Sequence, residues 1–259
     1  VAKPMNKKHW GAIAIVAGAL YLFGAPVPAL AQGNTWAGAS LAQMIDSAGW
    51  RLGLLRVNAA FTLANAGYDT DVYYGFLDEP VPDWTLSAGL PVQVLVPLGK
   101  KVVLDLSDTP QYLFYLDTER ERAWNNVFQG KIHFALDRIY IQTGGGMSDV
   151  RRRFSPELDI NVREKRDNLD GLFLWQASKG TSFALLYGWA KYRYGDAEYM
   201  GAEISGALDR EEQFVNFITF IQPSSRTRLF LDGQYGTYSF ANEASSVRDA
   251  KSYGAFAGV

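Results

Sequence analysis

The chain has 259 residues, with 25 Lys plus Arg against 27 Asp plus Glu, and no cysteine. That near balance excludes a strongly basic nucleic-acid binder, and the missing thiols exclude disulfide scaffolds, Cys-ligated zinc, iron–sulfur clusters and cysteine catalysis. A mean hydropathy of -0.10 argues against a multi-helix membrane protein, yet 48% hydrophobic residues are too many for disorder, and 14% aromatics with 25 glycines lean towards β structure.

Lys7 and Lys8 precede an uncharged apolar run at 10–23, which Gly24, Pro26 and Pro28 end before Ala29-Leu30-Ala31. This is the order of a secretory signal peptide, expected at 1–31 with Met5 as the start and cleavage after Ala31. A permanent anchor is the rival, but the run falls short of the roughly 20 residues that a helical span needs. No cysteine follows, so lipoprotein anchoring is excluded. Cleavage removes Lys3, Lys7 and Lys8 and no acid, leaving 22 basic against 27 acidic side chains. An exported chain of this kind is either periplasmic or a barrel in the outer membrane.

The segment 32–49 carries one short helical candidate, near 40–48. From there the pattern has a period of two, the signature of strands. The first strand, near 50–63, sets Leu55, Val57, Ala59, Phe61 and Leu63 against Arg56, Asn58, Ala60 and Thr62. Every even position from Trp84 to Leu98 is apolar, against Thr85, Ser87, Gly89 and Gln93. Further runs near 101–116, 124–136, 139–150, 160–177, 181–194, 211–222, 226–240 and 250–259 bring the count to about ten strands. Ordinary strands average about 5–6 residues, whereas a tilted membrane strand needs about 9–11 and often extends beyond the bilayer. Tight turns at Gly99-Lys100, Asp137-Arg138, Ser178-Lys179-Gly180 and Pro223-Ser224-Ser225 alternate with longer stretches at 64–83, 117–122, 151–167, 195–210 and 241–251. Short turns at one rim and long loops at the other are the plan of an outer-membrane barrel. A β-propeller would need four short strands per repeat, and its signatures do not recur. The expected fold is therefore an all-β, antiparallel up-and-down transmembrane β-barrel over 50–259. The pattern is still running at Val259, so further strands that close the barrel are expected beyond it.

Parity directs Arg56, Asp105, Lys131, His133, Arg228 and Asp232 inwards as lumen candidates. His133 is the only histidine left after cleavage. It could serve a Ser–His–acid hydrolase, but no Gly-x-Ser-x-Gly occurs, and a polar wall position is expected instead of catalysis. No enzyme activity, metal or cofactor is expected. Tyr68-Asp69-Thr70-Asp71 with Asp78-Glu79 resembles only the start of a calcium loop, and reads as solvated charge. Gly144-Gly145-Gly146 precedes no helix, so a phosphate cradle is not expected; a strand end or loop entry suffices. Arg151, Arg152 and Arg153 open the most charged stretch and are candidates for contact with lipopolysaccharide phosphates or an acidic glycan, against a plain solvated rim. Tyr112, Phe114, Trp124, Trp175, Tyr187, Trp189, Tyr192 and Tyr194 are candidates for interfacial girdles, against ordinary cross-strand packing.

The runs 65–73 (NAGYDTDVY), 154–159 (FSPELD), 208–212 (LDREE), 222–228 (QPSSRTR) and 233–236 (GQYG) together resemble β-barrel porins of the second type. These are Gram-negative outer-membrane proteins, some linked to exopolysaccharide or capsule production. The resemblance covers about 50–259. It implies an outer-membrane location among lipid and lipopolysaccharide, and a pore or export role for polysaccharide or small hydrophilic solutes. The alternative is a structural or adhesive barrel with a filled lumen and no conduction. No catalytic residues come with the family.

Overall fold

A computed structural model describes residues 37–72, 80–154, 161–195, 198–199, 202–224 and 226–259. The signal segment with its cleavage site, and Asp78 and Glu79, lie outside the described residues. Helix α1 (Ala37–Asp46) comes first. It is followed by β1 (Trp50–Leu52), β2 (Leu55–Ala59), β3 (Thr62–Asp69), β4 (Asp83–Gly89), β5 (Val92–Leu98), β6 (Val102–Asp108) and β7 (Gln111–Tyr115). Then come β8 (Ala123–Ala135), β9 (Ile139–Arg153), β10 (Asn161–Ser178), β11 (Thr181–Gly195), β12 (Glu198–Tyr199), β13 (Ala202–Glu203), helix α2 (Ser205–Leu208), β14 (Arg210–Ser224), β15 (Thr227–Phe240) and β16 (Ala250–Gly258).

All strands but β12 and β13 form one antiparallel up-and-down sheet of 14 strands, which is not closed. Its order is β1-β2-β5-β6-β8-β9-β10-β11-β14-β15-β16, with β3, β4 and β7 branching off beside β8. The branch has a simple cause. β2 with β3, β4 with β5, and β6 with β7 are three long strands, each interrupted once at the same level. Ala60 N–H donates to the Pro91 carbonyl (3.1 Å), Leu90 N–H to Pro110 (3.0 Å) and Thr109 N–H to Val127 (2.9 Å). Pro91 and Pro110 have no N–H to give to a ladder, so pairing stops there and resumes on either side. Joining the halves leaves ten long strands, the number that the alternation predicts, and the short β1.

Three local expectations are corrected. The first strand, expected over 50–63, begins only at Leu55, because a tight turn at Gly53-Leu54 folds Trp50–Leu52 back onto it. It continues through Asp69 where a loop was expected, because Ala64 pairs with Ser87 and Gly67 with Thr85, leaving one extra residue between them. That bulge, with Asn65 at a φ of 49°, switches which side faces out and so hides the strand from a parity reading. β9 and β10 run to Arg153 and from Asn161, narrowing the loop expected at 151–167. Gly144-Gly145-Gly146 lies inside β9, not at its end. A Cβ on Gly144 would stand 2.5 Å from the Gly130 carbonyl oxygen, and one on Gly145 2.7 Å from that of Asn168. The glycines let three strands approach closely.

Every tight turn sits at one rim and the longer connections at the other. Burial alternates along the strands, and the more buried side (Ser87, Leu95, Val103, His133, Gln142, Ala184) is called the inner face. Two apolar clusters lie on it, both in the half nearer the tight turns: Tyr140, Leu172, Leu174, Ala184 and Leu186 on β9 to β11, and Leu41 of α1 with Leu95 and Val103 on β5 and β6.

At the loop rim, Asp83 is 1% exposed and accepts backbone N–H bonds from Leu116 (3.1 Å), Asp117 (3.1 Å) and Thr118 (2.7 Å). Burial works to raise its pKa, but these donors outweigh it and hold the carboxyl down at about 2. A depressed folded-state value means that the stabilisation is complete above the ordinary value near 3.8 and is lost as pH falls through about 2. Hydrogen exchange at Leu116–Thr118 is therefore expected to accelerate, relative to the strands, as pH drops from 4 to 2. Asp83→Asn should remove that pH dependence while leaving the loop less protected throughout.

Candidate functional site

The inner face carries a line of polar side chains across five adjacent strands, β2, β5, β6, β8 and β9. Asn58 Nδ2 donates to Gln93 Oε1 (3.2 Å), and Gln93 Nε2 donates to the Asp105 carboxylate (3.0 and 3.2 Å). Asp105 Oδ2 lies 3.7 Å from His133 Nε2, and His133 Nδ1 shares a 2.7 Å hydrogen bond with the Tyr140 hydroxyl. Strand register produces this line: Asn58 pairs with Gln93, Asp105 with Lys131, and His133 with Gln142. Gln142 Nε2 in turn donates to Asp170 Oδ2 on β10 (3.2 Å). His133 is 5% exposed, and its Nε2 has no hydrogen-bond partner.

Side chains here lie along the wall rather than across the space in front of it, because glycines on neighbouring strands receive them. The Lys131 stem rests over Gly144, where a Cβ would meet its Cγ at 2.7 Å, and the Phe214 ring covers Gly188. Inner-face glycines thus decide how far the polar groups project, which parity alone does not reveal.

Of the six lumen candidates, all stand on the inner face, and four gather in one sector. Arg56 shares a row with Asp105 and Lys131 through Leu95, its guanidinium bonded to the Gly53 carbonyl (2.7 Å) and the Leu55 carbonyl (3.1 Å). Arg228 and Asp232 sit apart on β15. Arg228 stacks on Phe220 at 4.3 Å, and Asp232 accepts from Gln234 Nε2 (2.8 Å).

A second cluster fills the inner face at the loop rim. The Arg210 guanidinium lies 4.4 Å from the Tyr192 ring, donates to Glu212 (2.6 Å) and reaches the Tyr194 hydroxyl (2.9 Å), while Leu208 of α2 and Phe154 pack beside them. Burial, then the charge of Glu212, pushes the Tyr192 hydroxyl up to about 12. Tyr192 and Tyr194 are therefore not girdle residues; parity turns them inwards, and their girdle assignment is corrected.

The outer face is apolar and exposed: Trp84, Leu169, Trp175, Leu185, Tyr187, Phe217 and Leu231 are each more than a third accessible. From β9 to β16, the last apolar outward residues before the polar zone are Met147, Leu169, Trp189, Val215, Tyr235 and Tyr253. By register this limit steps towards the tight-turn rim between β9 and β10 and again between β11 and β14. Beyond it lie cross-strand ion pairs: Arg163 with Asp149, Arg193 with Asp167 (2.5 Å) and Lys191 with Glu211 (3.0 Å).

The Arg151–Arg153 run is split by strand alternation. Arg151 Nε donates to Glu121 (2.8 Å), a carboxylate 4% exposed that also accepts from Asn161 (3.2 Å). Arg152 turns inwards to Glu164 (2.5 Å), and the side chain of Arg153 lies outside the described residues. Asp69 and Asp71 cap local backbone, Asp69 accepting from the Asp71 N–H (3.1 Å) and Asp71 from Val81 (3.4 Å). Among the described residues no group of three or more His, Asp or Glu could hold a metal ion. No protein-family model matches the chain, and no curated protein matches it.

Proposed function

We propose that this chain is an outer-membrane β-barrel of the porin type, passing small hydrophilic solutes or serving polysaccharide export, and that it belongs with the β-barrel porins of the second type. The observation that carries this reading is the inversion of the sheet. Large apolar side chains face outwards in a continuous belt, while Asn58, Gln93, Asp105, Lys131 and His133 face inwards. In water such an outer face would be a costly exposed patch; in lipid it is the required surface. The belt on β10, from Leu169 to Ala177, matches the roughly 9–11 residues of a tilted membrane strand. A limit that steps across successive strands is what tilted strands crossing a flat slab produce. The ion-paired zone beyond it suits lipopolysaccharide head groups, with Arg151, Arg163, Lys165, Lys191 and Arg193 among the outward basic residues there.

The second reading is a filled, non-conducting barrel, favoured by the Tyr192–Tyr194–Arg210 cluster. Planar-bilayer recording of the refolded protein separates the two. Discrete conductance steps are expected from a porin-type lumen, and a silent bilayer with correctly folded protein would reject it.

A further inference from the structure

The polar line of the inner face has an apolar neighbour that comes from outside the sheet. Leu41 of α1 is 7% exposed and forms one buried cluster with Leu95 (0%) and Val103 (3%), with Met44, Ile45 and Ala135 packed against it. Leu95, Val103 and Ala135 are inner-face residues close to the tight turns. Leu95 pairs with Asp105, and Val103 with His133. The helix thus sits on the inner face of the sheet, beside Asp105 and His133, with Gln43 and Asp46 exposed on its far side.

The seat itself is apolar, Leu41, Met44 and Ile45 packing on Leu95, Val103 and Ala135, while Arg51 of β1 lies 3.7 Å from the Asp46 carboxylate. Among the described residues, Ser47 and Ala48 donate back to the carbonyls of Gln43, Met44 and Ile45 within that segment, and Arg51 also reaches the Asp46 carbonyl (3.1 Å). A helix of ten residues is too short to be stable alone in water, so its seat on the sheet is what keeps it helical. Contacts without hydrogen bonds break and reform with little directional constraint. The connection to β1 runs only through Ser47, Ala48 and Gly49.

We propose that α1 is a displaceable stopper, seated inside the barrel at its tight-turn end, which restricts passage along the Asp105–His133 sector. This rests on the channel reading above. Seated, the helix body occupies space in front of the polar wall, and its exposed Gln43 and Asp46 face the remaining gap. Displaced, it uncovers Leu95 and Val103 and widens the passage.

The absence of native cysteine makes a direct test available. Three forms of the whole chain are compared in planar bilayers: the parent, a deletion of 37–46, and Leu41→Cys/Val103→Cys closed with a short bis-thiol cross-linker. The expected result is a several-fold rise in unit conductance on deletion, with the cross-linked form held at or below the parental level. Equal conductance in parent and deletion would overturn the proposal. A second measurement does not depend on conduction. Val103→Cys alone should react several-fold more slowly with a membrane-impermeant maleimide when α1 is present than when 37–46 is deleted, and equal rates would show that the helix does not cover its seat. Silence from all three forms, with Val103→Cys still protected, would reject the channel reading and the stopper role together while leaving the seat itself established.

Discussion

Leu185→Arg should destabilise the protein in lipid vesicles by about 2–4 kcal/mol, whereas Ser239→Arg should cost about 0–1 kcal/mol. Leu185 stands in the middle of the outer belt, paired across strands with Phe173 and Phe217, and is 44% exposed. Ser239 is outward too, but two outward positions beyond Tyr235, on the loop side of the belt. In a water-facing sheet, both changes would be ordinary surface substitutions, worth within about 0.5 kcal/mol of nothing. In a bilayer, only the belt position forces a guanidinium into hydrocarbon. Denaturant titration of folding into vesicles reads the difference directly, and equal small effects at both sites would defeat the membrane reading.

Arg151→Ala should cost about 3 kcal/mol, the scale of breaking a buried ion pair from one side. Glu121 lies at 4% exposure in the loop between β7 and β8, with Arg151 and Asn161 reaching it from β9 and β10. Removing the arginine leaves a carboxylate that has lost its main counter-charge in a place poor in water. The double variant Arg151→Ala/Glu121→Gln should recover part of the loss, because no charge then remains to be compensated. A stability loss confined to lipopolysaccharide-containing vesicles would instead assign Arg151 to lipid contact. Arg193→Ala, whose partner Asp167 is partly exposed, should cost under about 1 kcal/mol in either case.

The architecture was legible because period-two patterning survives averaging over whole strands. The turns at 99–100 and 137–138 and the long runs at 181–194 and 226–240 fall where the alternation places them. Parity also placed Asp105, Lys131 and His133 on one face. It could not find their neighbours. Asn58, Gln93, Tyr140 and Gln142 join them through register, which depends on how many residues each turn consumes and not on any motif. Tyr192 and Tyr194 stand near a strand end, where an aromatic suggests a girdle. They alternate with the outward Tyr187 and Trp189, so parity already turns them inwards, and register then brings Arg210 of the next strand against them. α1 was visible as a short helical stretch, but its seat was not, since Leu95, Val103 and Ala135 come together only once three strands are in place. The bulge at Asn65 hid the end of β3 by reversing the very pattern used to find it.

The level at which Pro91 and Pro110 interrupt the first three long strands also bears on how the length of this wall can vary by inheritance. In β10 and β11, one added residue would reverse the facing of every side chain beyond it, because pairing runs unbroken from Arg163–Gly195 to Gln176–Ser182. At 60–61, 90–91 or 109–110 the ladder is already thinned to single backbone hydrogen bonds such as Ala60 to Pro91, so an extra residue there disturbs few bonds and the half-strands on either side can keep their partners. The early sector is thus the part of the wall whose height can drift by single insertions, and the later sector is the part whose length is locked.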